Sequence, residues 1–218
     1  MKRIAIIGAS GHGKVVADIA RLNQYEDIIF LDDNTELNSC GIYKVVGTSQ
    51  EYVHYASQEY DLIVAIGNAK IRQRIQEQIE NNGLCCATLL HPSAVIAEDV
   101  QIGSGTVVMA NAVINPDTQI GKGCIINTCA SVDHDNKIAN YVHVSVGAHL
   151  AGSVLVGQRT WIGIGSVISN NLEICEDCTI GAGAVVVRNI TESGTYVGVP
   201  AEKKEKRKYL HEVKDVKR

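Results

Sequence analysis

Aliphatic residues recur along the second half of the chain with a period of six. From Leu90 to Val186 every sixth residue is Ile, Leu or Val, without an insertion or a slip. A helix of about 3.6 residues per turn cannot keep such a repeat on one face, and hairpin sheets need turn signals every ~8 to 12 residues. The pattern predicts a solenoid in which each hexapeptide forms one short strand and a corner. The repeated positions are Leu90, Ile96, Ile102, Val108, Ile114, Ile120, Ile126, Val132, Ile138, Val144, Leu150, Val156, Ile162, Ile168, Ile174, Ile180 and Val186.

Small or thin residues occupy the position four after most of these aliphatics. Side chains alternate faces along a strand, so each aliphatic and the small residue two before it are expected to point inward. The residue between them is then expected to point out. The small positions are Ala94, Thr106, Ala112, Cys124, Ala130, Ala148, Ser166, Cys178 and Ala184.

Residues 1–89 have a different pattern, in which strands and helices alternate. KRIAIIG, DIIFLDD and DLIVAIGN have the composition of buried strands, and KVVADIARL has that of a short helix. A second helix, KIRQRIQEQIENNG, has Ile71, Ile75 and Ile79 on one stripe and ends at Asn82-Gly83. This alternation predicts a small Rossmann-like α/β domain with a parallel sheet over 1–89, followed by the solenoid over 90–200.

A glycine-rich loop follows the first predicted strand. The segment GASGHG at residues 8–13 has the spacing G-x-x-G-x-G, which differs from the dinucleotide fingerprint. Its glycines leave backbone N–H groups open at a helix start, which suits a phosphate; a tight turn without a ligand is the alternative. Asp32 and Asp33 end the second predicted strand, where open α/β sheets bind ligands and carboxylates accept ribose or base hydrogen bonds. An ordinary acidic turn is the alternative for this pair.

Composition and charge narrow the functional classes. There are 20 Lys and Arg against 24 Asp and Glu, a formal net charge of −4, and no long basic stretch precedes the last twenty residues. Nucleic-acid and membrane-surface partners are therefore not expected. No apolar run reaches the ~18 residues of a membrane span, and the chain starts on a strand pattern, so we expect a soluble cytoplasmic protein without membrane insertion. The seven cysteines are scattered, and one CxxC at Cys175 and Cys178 is a weak metal signal, so no metal is expected.

The charged segment 201–218 has helical propensity. We expect a helix that caps the open end of the solenoid, because a terminal coil must cover its edge. Contact of its Lys and Arg side chains with phosphates of a cofactor is the alternative.

The hexapeptides IGSGTV, IGKGCI, IGIGSV and IGAGAV resemble those of the hexapeptide-repeat acyltransferases, and the match spans residues 90–190. The resemblance implies a left-handed parallel β-helix of triangular section, with three hexapeptides per coil, assembled as a homotrimer. The handedness comes from the family alone, since the general rule for parallel crossovers favours the right hand.

The segment SVDHDN at residues 131–136 places a histidine between two acids. Acid-flanked histidines are common on solvated loops, and a surface residue without function is the simplest interpretation. The repeat adds a register: Val132 points inward, Asp133 points out, and His134 with Asp135 falls on a corner of the coil. A histidine there can act as a general base, with the adjacent carboxylate holding its tautomer.

The triangular coil also predicts neighbours for this histidine. With eighteen residues per coil, His143 is expected to stack on Trp161, and His134 to lie one coil below Gly152. We expect these four residues to be neighbours on the surface of the prism. Because a prism without inserted loops has only shallow grooves, the site is expected in the crease between two prisms. His143 and the Gly152 amide can then donate to a developing oxyanion; packing of His143 against Trp161 is the alternative.

Six segments together are similar to one branch of the family: GASGHG, LDD, AIGN, SVDHDN, HVSVGAHLAG and GVPA. The branch contains bacterial acetyltransferases that acetylate the amine of a nucleotide-linked 4-amino-4,6-dideoxy sugar, and relatives described as sialic acid O-acetyltransferases. The resemblance covers almost all of residues 1–200. It implies acetyl-CoA as co-substrate, His134 as base, Asp135 as its partner, and His143 and the Gly152 amide near the acetyl carbonyl. It implies that Gly152, Ile164 and Ala182 line the coenzyme A track. The residues it implies for the nucleotide sugar are Gly8, Ser10, Gly11, His12, Asp32, Asp33 and Asn68.

The sequence departs from the pattern of the family at two positions, and it leaves three functional hypotheses open. The residue after the base is often Glu in the family and is the shorter Asp135 here, and Asn136 stands where a cysteine is frequent. The leading hypothesis is N-acetylation of a nucleotide-activated amino sugar in surface-glycan synthesis. O-acetylation of a sugar hydroxyl is the second, and a non-enzymatic module that binds nucleotide sugars is the third.

Overall fold

The N-terminal domain is built around a five-stranded sheet with the order β3-β4-β2-β1-β5. All neighbours pair in parallel except β3, which is antiparallel to β4 at the edge. The computed structural model describes residues 1–205. The strands are β1 (Lys2–Ile7), β2 (Tyr25–Leu31), β3 (Ser39–Cys40), β4 (Tyr43–Gly47) and β5 (Asp61–Val64), and the helices are α1 (Gly11–Leu22), α2 (Tyr52–Ser57) and α3 (Ala69–Asn81), with a 3₁₀ turn at Ser49–Glu51.

The predicted α/β order is confirmed, and the sequence missed β3, β4 and α2. β4 is mostly half-buried at the sheet margin, so it lacks the continuous apolar run that marks β1 and β5. On α3, Ile75 and Ile79 are buried as expected, whereas Ile71 is exposed and its neighbour Arg72 is buried instead.

The rest of the chain forms a parallel β-helix of two-residue strands. From β6 to β19, every strand pairs with the one eighteen residues further on, as in Val113 with Ser131 and Ser131 with His149. The predicted coil of three hexapeptides is therefore confirmed. The strands are β6 (Leu89–Leu90), β7 (Val95–Ile96), β8 (Gln101–Ile102), β9 (Val107–Val108), β10 (Val113–Ile114), β11 (Gln119–Ile120), β12 (Ile125–Ile126), β13 (Ser131–Val132), β14 (Lys137–Ile138), β15 (His143–Val144), β16 (His149–Leu150), β17 (Leu155–Val156), β18 (Trp161–Ile162), β19 (Val167–Ile168), β20 (Glu173–Ile174), β21 (Thr179–Ile180) and β22 (Val185–Val186).

Successive strands fall on three sheets, which form the faces of the prism. The first face runs from β6 through β9, β12, β15, β18 and β21; the second from β7 through β10, β13, β16, β19 and β22; and the third from β8 through β11, β14, β17 and β20. Each corner lies between two of these faces, so a residue's place in the repeat fixes which side of the molecule it occupies.

The interior contains the repeated aliphatics and the small residues, as predicted. From Val108 onward all of these aliphatics are buried, whereas Leu90 is exposed and Ile96 and Ile102 are half-buried at the first coil. Buried polar side chains bond to the backbone of the next corner: Thr118 Oγ1 donates to Asp133 O (2.8 Å) and Thr160 Oγ1 to Cys175 O (3.0 Å). The core is thus apolar at its centre and hydrogen-bonded beneath the corners.

The last described segment is a strand pair. β23 (Thr195–Val197) extends the first face, and β24 (Glu202–Lys203) pairs with it antiparallel. The helix predicted over 201–218 was wrong for residues 201–205, where β24 pairs with β23 instead, and from residue 206 onward the prediction lies outside the described residues. Helices in residues 1–205 reach thirteen residues at most, and none has the length and apolar content for a bilayer crossing.

The N-terminal domain packs on the first coils of the first face. Leu89, Val107 and Ile125 point outward from the prism and are nevertheless buried, because they join the core formed by the sheet and α1. Helix α3 lies against the corner between the third and first faces: Gln76 Nε2 donates to Ser104 O (3.0 Å), and Lys122 Nζ lies 2.5 Å from Glu80 Oε2. The two domains therefore share apolar and polar contacts.

Candidate functional site

His134 lies on the corner between the second and third faces, after β13 and before β14. Its side chain is 57% exposed, and its Nδ1 lies 2.7 Å from Asp135 Oδ2. The hydrogen bond to this carboxylate, together with nearby acids, raises the pKa of His134 above its ordinary value. Since Nδ1 donates to Asp135, Nε2 is the nitrogen left free to accept a proton. The shorter Asp135 does reach the imidazole.

The backbone under His134 is held by its neighbours in the segment. Asp133 Oδ1 accepts from the His134 N–H (2.9 Å) and from Asn115 Nδ2 (2.7 Å). Asn136 is fully buried, and its Nδ2 donates to Asp133 O (2.6 Å) and Ala151 O (3.0 Å). The asparagine at the position where the family often has cysteine therefore ties two successive corners together.

Gly152 occupies the same corner one coil later, as predicted. A Cβ built on Gly152 would lie 2.5 Å from His134 Cε1 and 2.6 Å from Nε2, so only glycine leaves room for the imidazole in this position. Its carbonyl accepts from the Asn171 N–H (3.0 Å), and its own N–H has no backbone or side-chain acceptor in residues 1–205. The structure thus pairs a free Nε2 with a free amide donor.

His143 lies on the first face as the first residue of β15. It stacks on Trp161, with ring centroids 6.1 Å apart and an interplanar angle of 27°, as predicted. Asn127 Nδ2 lies 3.0 Å from His143 Nε2. Since the amide nitrogen can only donate, Nε2 accepts and the ring proton is on Nδ1. Burial, the nearby Arg72 and His12 lower the pKa of His143 to about 3, so the ring is neutral.

The expectation that His134, Gly152, His143 and Trp161 are neighbours was wrong for a single chain. They form two separate pairs: His134 with Gly152 on the corner between the second and third faces, and His143 with Trp161 on the first face. The physical reason is the repeat itself. Nine residues separate His134 from His143, which is half of an eighteen-residue coil, so the two histidines are on opposite sides of the prism.

Ile164 and Ala182 stack on the corner between the first and second faces, where Gly183 N donates to Ile164 O (2.8 Å). Ile164 is 54% exposed. This corner adjoins the face of His143 and Trp161 and is not the corner of Gly152. The residues implied for the coenzyme A track are thus divided between two edges of the prism.

A cleft of about 310 Å³ opens at the carboxyl ends of β1, β2 and β5. This edge is where the strand order changes direction, the usual ligand position in an open α/β sheet. Asp32 accepts from the Ala9 N–H (2.6 Å) and the Asn34 N–H (2.9 Å), so it anchors the glycine loop. Asp33 Oδ1 accepts from the Ser49 N–H (2.9 Å). The cleft is lined by Ile7, Gly8, Ser10, Leu31, Asp32, Asp33, Ser49, Ile66, Gly67 and Ile71.

Four of the seven residues implied for the nucleotide sugar line this cleft: Gly8, Ser10, Asp32 and Asp33. Gly8 has a φ of +113°, and a Cβ there would lie 2.8 Å from Ala65 O, so the close turn requires glycine. Ser10 is the N-cap of α1 and makes no side-chain capping bond.

The other three residues do not line this cleft, and Asn68 lines instead a neighbouring cleft at the start of α3. Gly11 is exposed and begins α1, and nothing lies within 4 Å of a Cβ built on it. His12 is half-buried, with its Nε2 sequestered and without a partner in residues 1–205, and burial lowers its pKa to about 4. Asn68 caps α3, its Oδ1 accepting from the Ile71 N–H (3.1 Å).

A second cleft of about 500 Å³ lies between the start of α3 and the first face. It shares Gly67 with the first cleft and is lined by His143 and Trp161. Arg159 bonds to Asp177 through two nitrogens (3.0 and 2.7 Å), and Lys70 lies 3.7 Å from Asp177 Oδ1. No motif in the sequence indicates Lys70, Arg159 and Asp177 as site residues, because Lys70 is distant in the chain from the other two.

Two further residues of the site, Asn127 and Arg72, were not predicted from the sequence. The repeat does indicate Asn127, since it lies sixteen residues before His143, on the same face within the eighteen-residue coil. Arg72 lies beside the apolar stripe of α3, and no sequence pattern indicates that it belongs to the site. Cys175 and Cys178 have their sulfurs 3.4 Å apart, and in residues 1–205 no group of three metal-ligating side chains forms.

Comparison with known proteins identifies both halves of the chain. Residues 3–79 match the family model described as the PglD N-terminal domain. Residues 99–134 and 153–188 match the bacterial transferase hexapeptide repeat. One family model therefore matches the α/β domain, and the other matches the β-helix.

Solved structures are similar over almost the whole chain. The acetyltransferase domain of PglB from Neisseria gonorrhoeae, in complex with acetyl coenzyme A, is 39% identical with a TM-score of 0.90, covering 93% of this chain and 99% of that one. PerB from Caulobacter crescentus, in complex with CoA and GDP-perosamine, is 35% identical with a TM-score of 0.89, covering 94% and 98%.

Among curated sequences, UDP-N-acetylbacillosamine N-acetyltransferase of Bacillus subtilis is 35% identical over 115 residues, which is 50% of this chain and 52% of the relative. The matched stretch spans about half the length of the curated relatives. Together with the full-length structural matches, these relationships show that the chain belongs to the hexapeptide-repeat acyltransferases, in the branch that joins a PglD N-terminal domain to a hexapeptide β-helix.

Proposed function

We propose that this protein is an acetyl-CoA-dependent N-acetyltransferase that acetylates the amine of a nucleotide-activated 4-amino-4,6-dideoxy sugar in bacterial surface-glycan synthesis. The observation that carries the proposal is the presence, in one chain, of a carboxylate-lined cleft at a sheet switch point and a histidine whose free Nε2 lies against Gly152. Full-length similarity to proteins solved with acetyl coenzyme A and with GDP-perosamine supports the same assignment.

The N-terminal cleft is the proposed site of the nucleotide. The first turn of α1 presents backbone N–H groups beside Ser10, whose side chain makes no capping bond, and a helix N-terminus favours a phosphate. Asp33 has one carboxylate oxygen bonded to Ser49 and is exposed, so the other is free to accept from a ribose or a base. From this cleft, Gly67 leads into the second cleft and to His143.

The acetyl group is proposed to lie where His143 and Gly152 donors converge. Neutral His143 keeps a proton on Nδ1 while Asn127 occupies Nε2, so Nδ1–H is a donor without a competing charge. The free N–H of Gly152 supplies a second donor. Two donors aimed at the developing oxyanion stabilise the transition state in the manner typical of acyl transfer.

These two donors come from opposite sides of one prism, which supports a site formed between two copies of the chain. The corner of His134 and Gly152 from one copy would enter the crease beside His143, Trp161 and Ile164 of the next. In a closed ring each copy supplies both edges, and the homotrimer implied by the family satisfies that requirement. The coenzyme A track of Gly152, Ile164 and Ala182 then becomes continuous across the interface.

The reaction follows from this arrangement. The amine nitrogen of the sugar forms a bond to the thioester carbonyl carbon, His134 Nε2 takes the proton from that nitrogen, and the carbon–sulfur bond breaks with release of the thiolate of coenzyme A. Asp135 stabilises the imidazolium that forms. A positioned general base of this kind contributes about 10² to 10⁴ in rate.

Competing acceptors assayed side by side with purified protein and acetyl-CoA test the assignment, with the released thiol as readout. UDP-, dTDP- and GDP-linked 4-amino-4,6-dideoxy sugars form one arm, and a free sialic acid forms the other. We expect turnover in the amino-sugar arm. Turnover on the sialic acid alone would make the protein an O-acetyltransferase, and turnover on no acceptor would contradict the enzyme assignment.

A further inference from the structure

Arg72 is a buried cation that bridges the two domains. It is 1% exposed, and its guanidinium donates four hydrogen bonds, all to backbone carbonyls. In the N-terminal domain Nη1 bonds to Ile66 O (2.7 Å) and Gly67 O (2.9 Å). In the β-helix Nε bonds to Gly123 O (2.7 Å) and Nη2 to Tyr141 O (2.8 Å). The planar fork thereby fixes four carbonyls at once, which a lysine cannot do.

The bonded carbonyls are part of the proposed site. Ile66 and Gly67 line the nucleotide cleft, and Gly67 also lines the second cleft. Tyr141 lies two residues before His143, so its carbonyl fixes the strand that carries this histidine. Arg72 therefore connects the acceptor side of the site directly to the coil of His143.

No ion pair in residues 1–205 includes Arg72. Burial lowers the pKa of its guanidinium to about 10, which leaves it charged near neutral pH. The charge acts on two half-buried histidines nearby: burial is the largest influence that lowers the pKa of His12 and of His143, and the Arg72 charge is the second for both. A fixed positive charge disfavours a second one in a poorly solvated space.

We propose that Arg72 is a positioning residue of the acetyltransferase site, which clamps the nucleotide cleft to the coil of His143 and places an unpaired positive charge beside His12 and His143. The catalytic meaning of this role rests on the proposed function; the clamp and the charge do not. A neutral His143 retains the Asn127 bond at Nε2 and the donor at Nδ1, whereas a protonated ring must donate from both nitrogens and lose the Asn127 bond.

Other groups face His143 as well. His12 approaches from α1, Asn127 from the coil before it, and Trp161 from the coil after it. Lys70, Arg159 and Asp177 line the same cleft, and there the carboxylate of Asp177 faces both cations. Arg72 is the cation in this group that has no carboxylate partner in residues 1–205, so its removal is expected to change the local charge most.

Titration of histidine ¹³Cε1 resonances by NMR tests the proposal without any substrate. The variants are Arg72→Lys, which keeps the charge, and Arg72→Met, which removes it; Arg74→Met on the exposed side of the same helix is the control. His12→Gln and His143→Gln assign the two signals. Both histidines should stay neutral at pH 5 in the wild-type protein, in Arg74→Met and in Arg72→Lys. In Arg72→Met at least one midpoint should rise by about one unit or more.

Arg72→Gln, which keeps N–H donors for the carbonyls and removes the charge, replaces Arg72→Met if the methionine variant does not fold. Unchanged histidine midpoints in a folded neutral variant would overturn the proposal, and so would wild-type midpoints near the ordinary value of about 6.5. Because the titration needs no turnover, its outcome is separate from the acceptor assay. Activity on an amino sugar with unshifted midpoints would reject the role of Arg72 alone.

Discussion

At the scale of single residues, four side chains of the segment SVDHDN have distinct roles at the corner of the coil. Asp133 and Asn136 hold the backbone of the corner, and Asp135 holds the imidazole of His134. Gly152 completes the corner by leaving space for the ring. A solvated loop histidine without function would not require this support, so the geometry favours a positioned base.

His134→Ala is expected to leave the fold intact and to lower kcat by roughly 10² to 10⁴, the usual contribution of a general base. The side chain is 57% exposed, so its removal creates no buried cavity and should change the free energy of unfolding little. Steady-state kinetics and thermal unfolding measure the two effects. His54→Ala, on α2 and outside both clefts, is the control. A folded variant that keeps most of its kcat would show that His134 is not the base.

Asp135→Asn should move the acidic limb of the pH profile of kcat/KM to lower pH. The carboxylate raises the pKa of His134, and the base is active only when neutral, so loss of the charge lowers the pH at which activity appears. kcat should fall less than in His134→Ala, because the base itself remains. Asparagine tolerates the left-handed backbone at this position (φ 58°).

Asp117→Asn is the matched control for this shift. Asp117 has the same left-handed backbone on the same corner one coil earlier, and its charge is the weakest of the influences on His134. Ionisation of the sugar amine is common to all variants, so it cannot produce a difference between them. An equal displacement in both variants would mean that Asp135 has no special role.

At the scale of elements, the loops after β1 and β2 act as one unit. Asp32 uses both oxygens to hold the backbone of its own loop and of the glycine loop, whereas Asp33 lines the cleft with one oxygen uncommitted. The simultaneous loss of both carboxylates would therefore disturb the loop as well as the ligand. Separate substitutions distinguish the anchor from the ligand contact.

Asp33→Asn is expected to raise KM for the nucleotide sugar by about 10- to 100-fold, the worth of one hydrogen bond to a charged group. Its Oδ1 can still accept from Ser49, so the loop should persist, and KM for acetyl-CoA should not change because the thioester track lies on the other domain. Kinetics with each substrate varied in turn make the measurement. Glu36→Gln, an exposed acid in the same loop, serves as the control. Equal weakening of both substrates would make Asp33 a structural residue.

At the scale of the whole molecule, the two halves of the proposed site face away from each other. A corner and the opposite face of a prism cannot meet, so a complete site needs a second copy. Outward valines on the second face, among them Val95 and Val167, are exposed in the single chain and offer an apolar surface for such a contact.

Co-expression of His134→Ala with His143→Ala tests this directly. Each variant alone should be nearly inactive, and the isolated mixed trimers should recover about a third of wild-type activity, because one of the three interfaces in each mixed trimer combines an intact His134 with an intact His143. Different affinity tags isolate the mixed species, and light scattering gives their mass. No recovery in isolated mixed trimers, or full activity in a monomer, would place the whole site within one chain.

The repeat by itself determined the β-helix and the outward position of His134. Each hexapeptide repeats the same inward and outward pattern, so strand register follows from arithmetic and the pairings from β6 to β22 are eighteen residues apart. The same arithmetic places His134 and His143 half a coil apart. The spacing in the sequence therefore already shows that His134 and Gly152 cannot be neighbours of His143 and Trp161 in one prism. The α/β order was also predictable, because β1, β2 and β5 each contain a continuous apolar run.

Only the tertiary structure decided how the two domains meet. Packing covered Val107 and Ile125 on one face and selected Arg72, not Ile71, for the interior of the contact. A buried arginine satisfied by four carbonyls depends on loops from both domains, and no local pattern in the helix specifies partners 51 and 69 residues away. The pairing of the β-helix strands can be predicted from the sequence because each coil repeats the pattern of the coil before it. Contacts between unlike domains occur once, and the chain carries no repeat from which to read them.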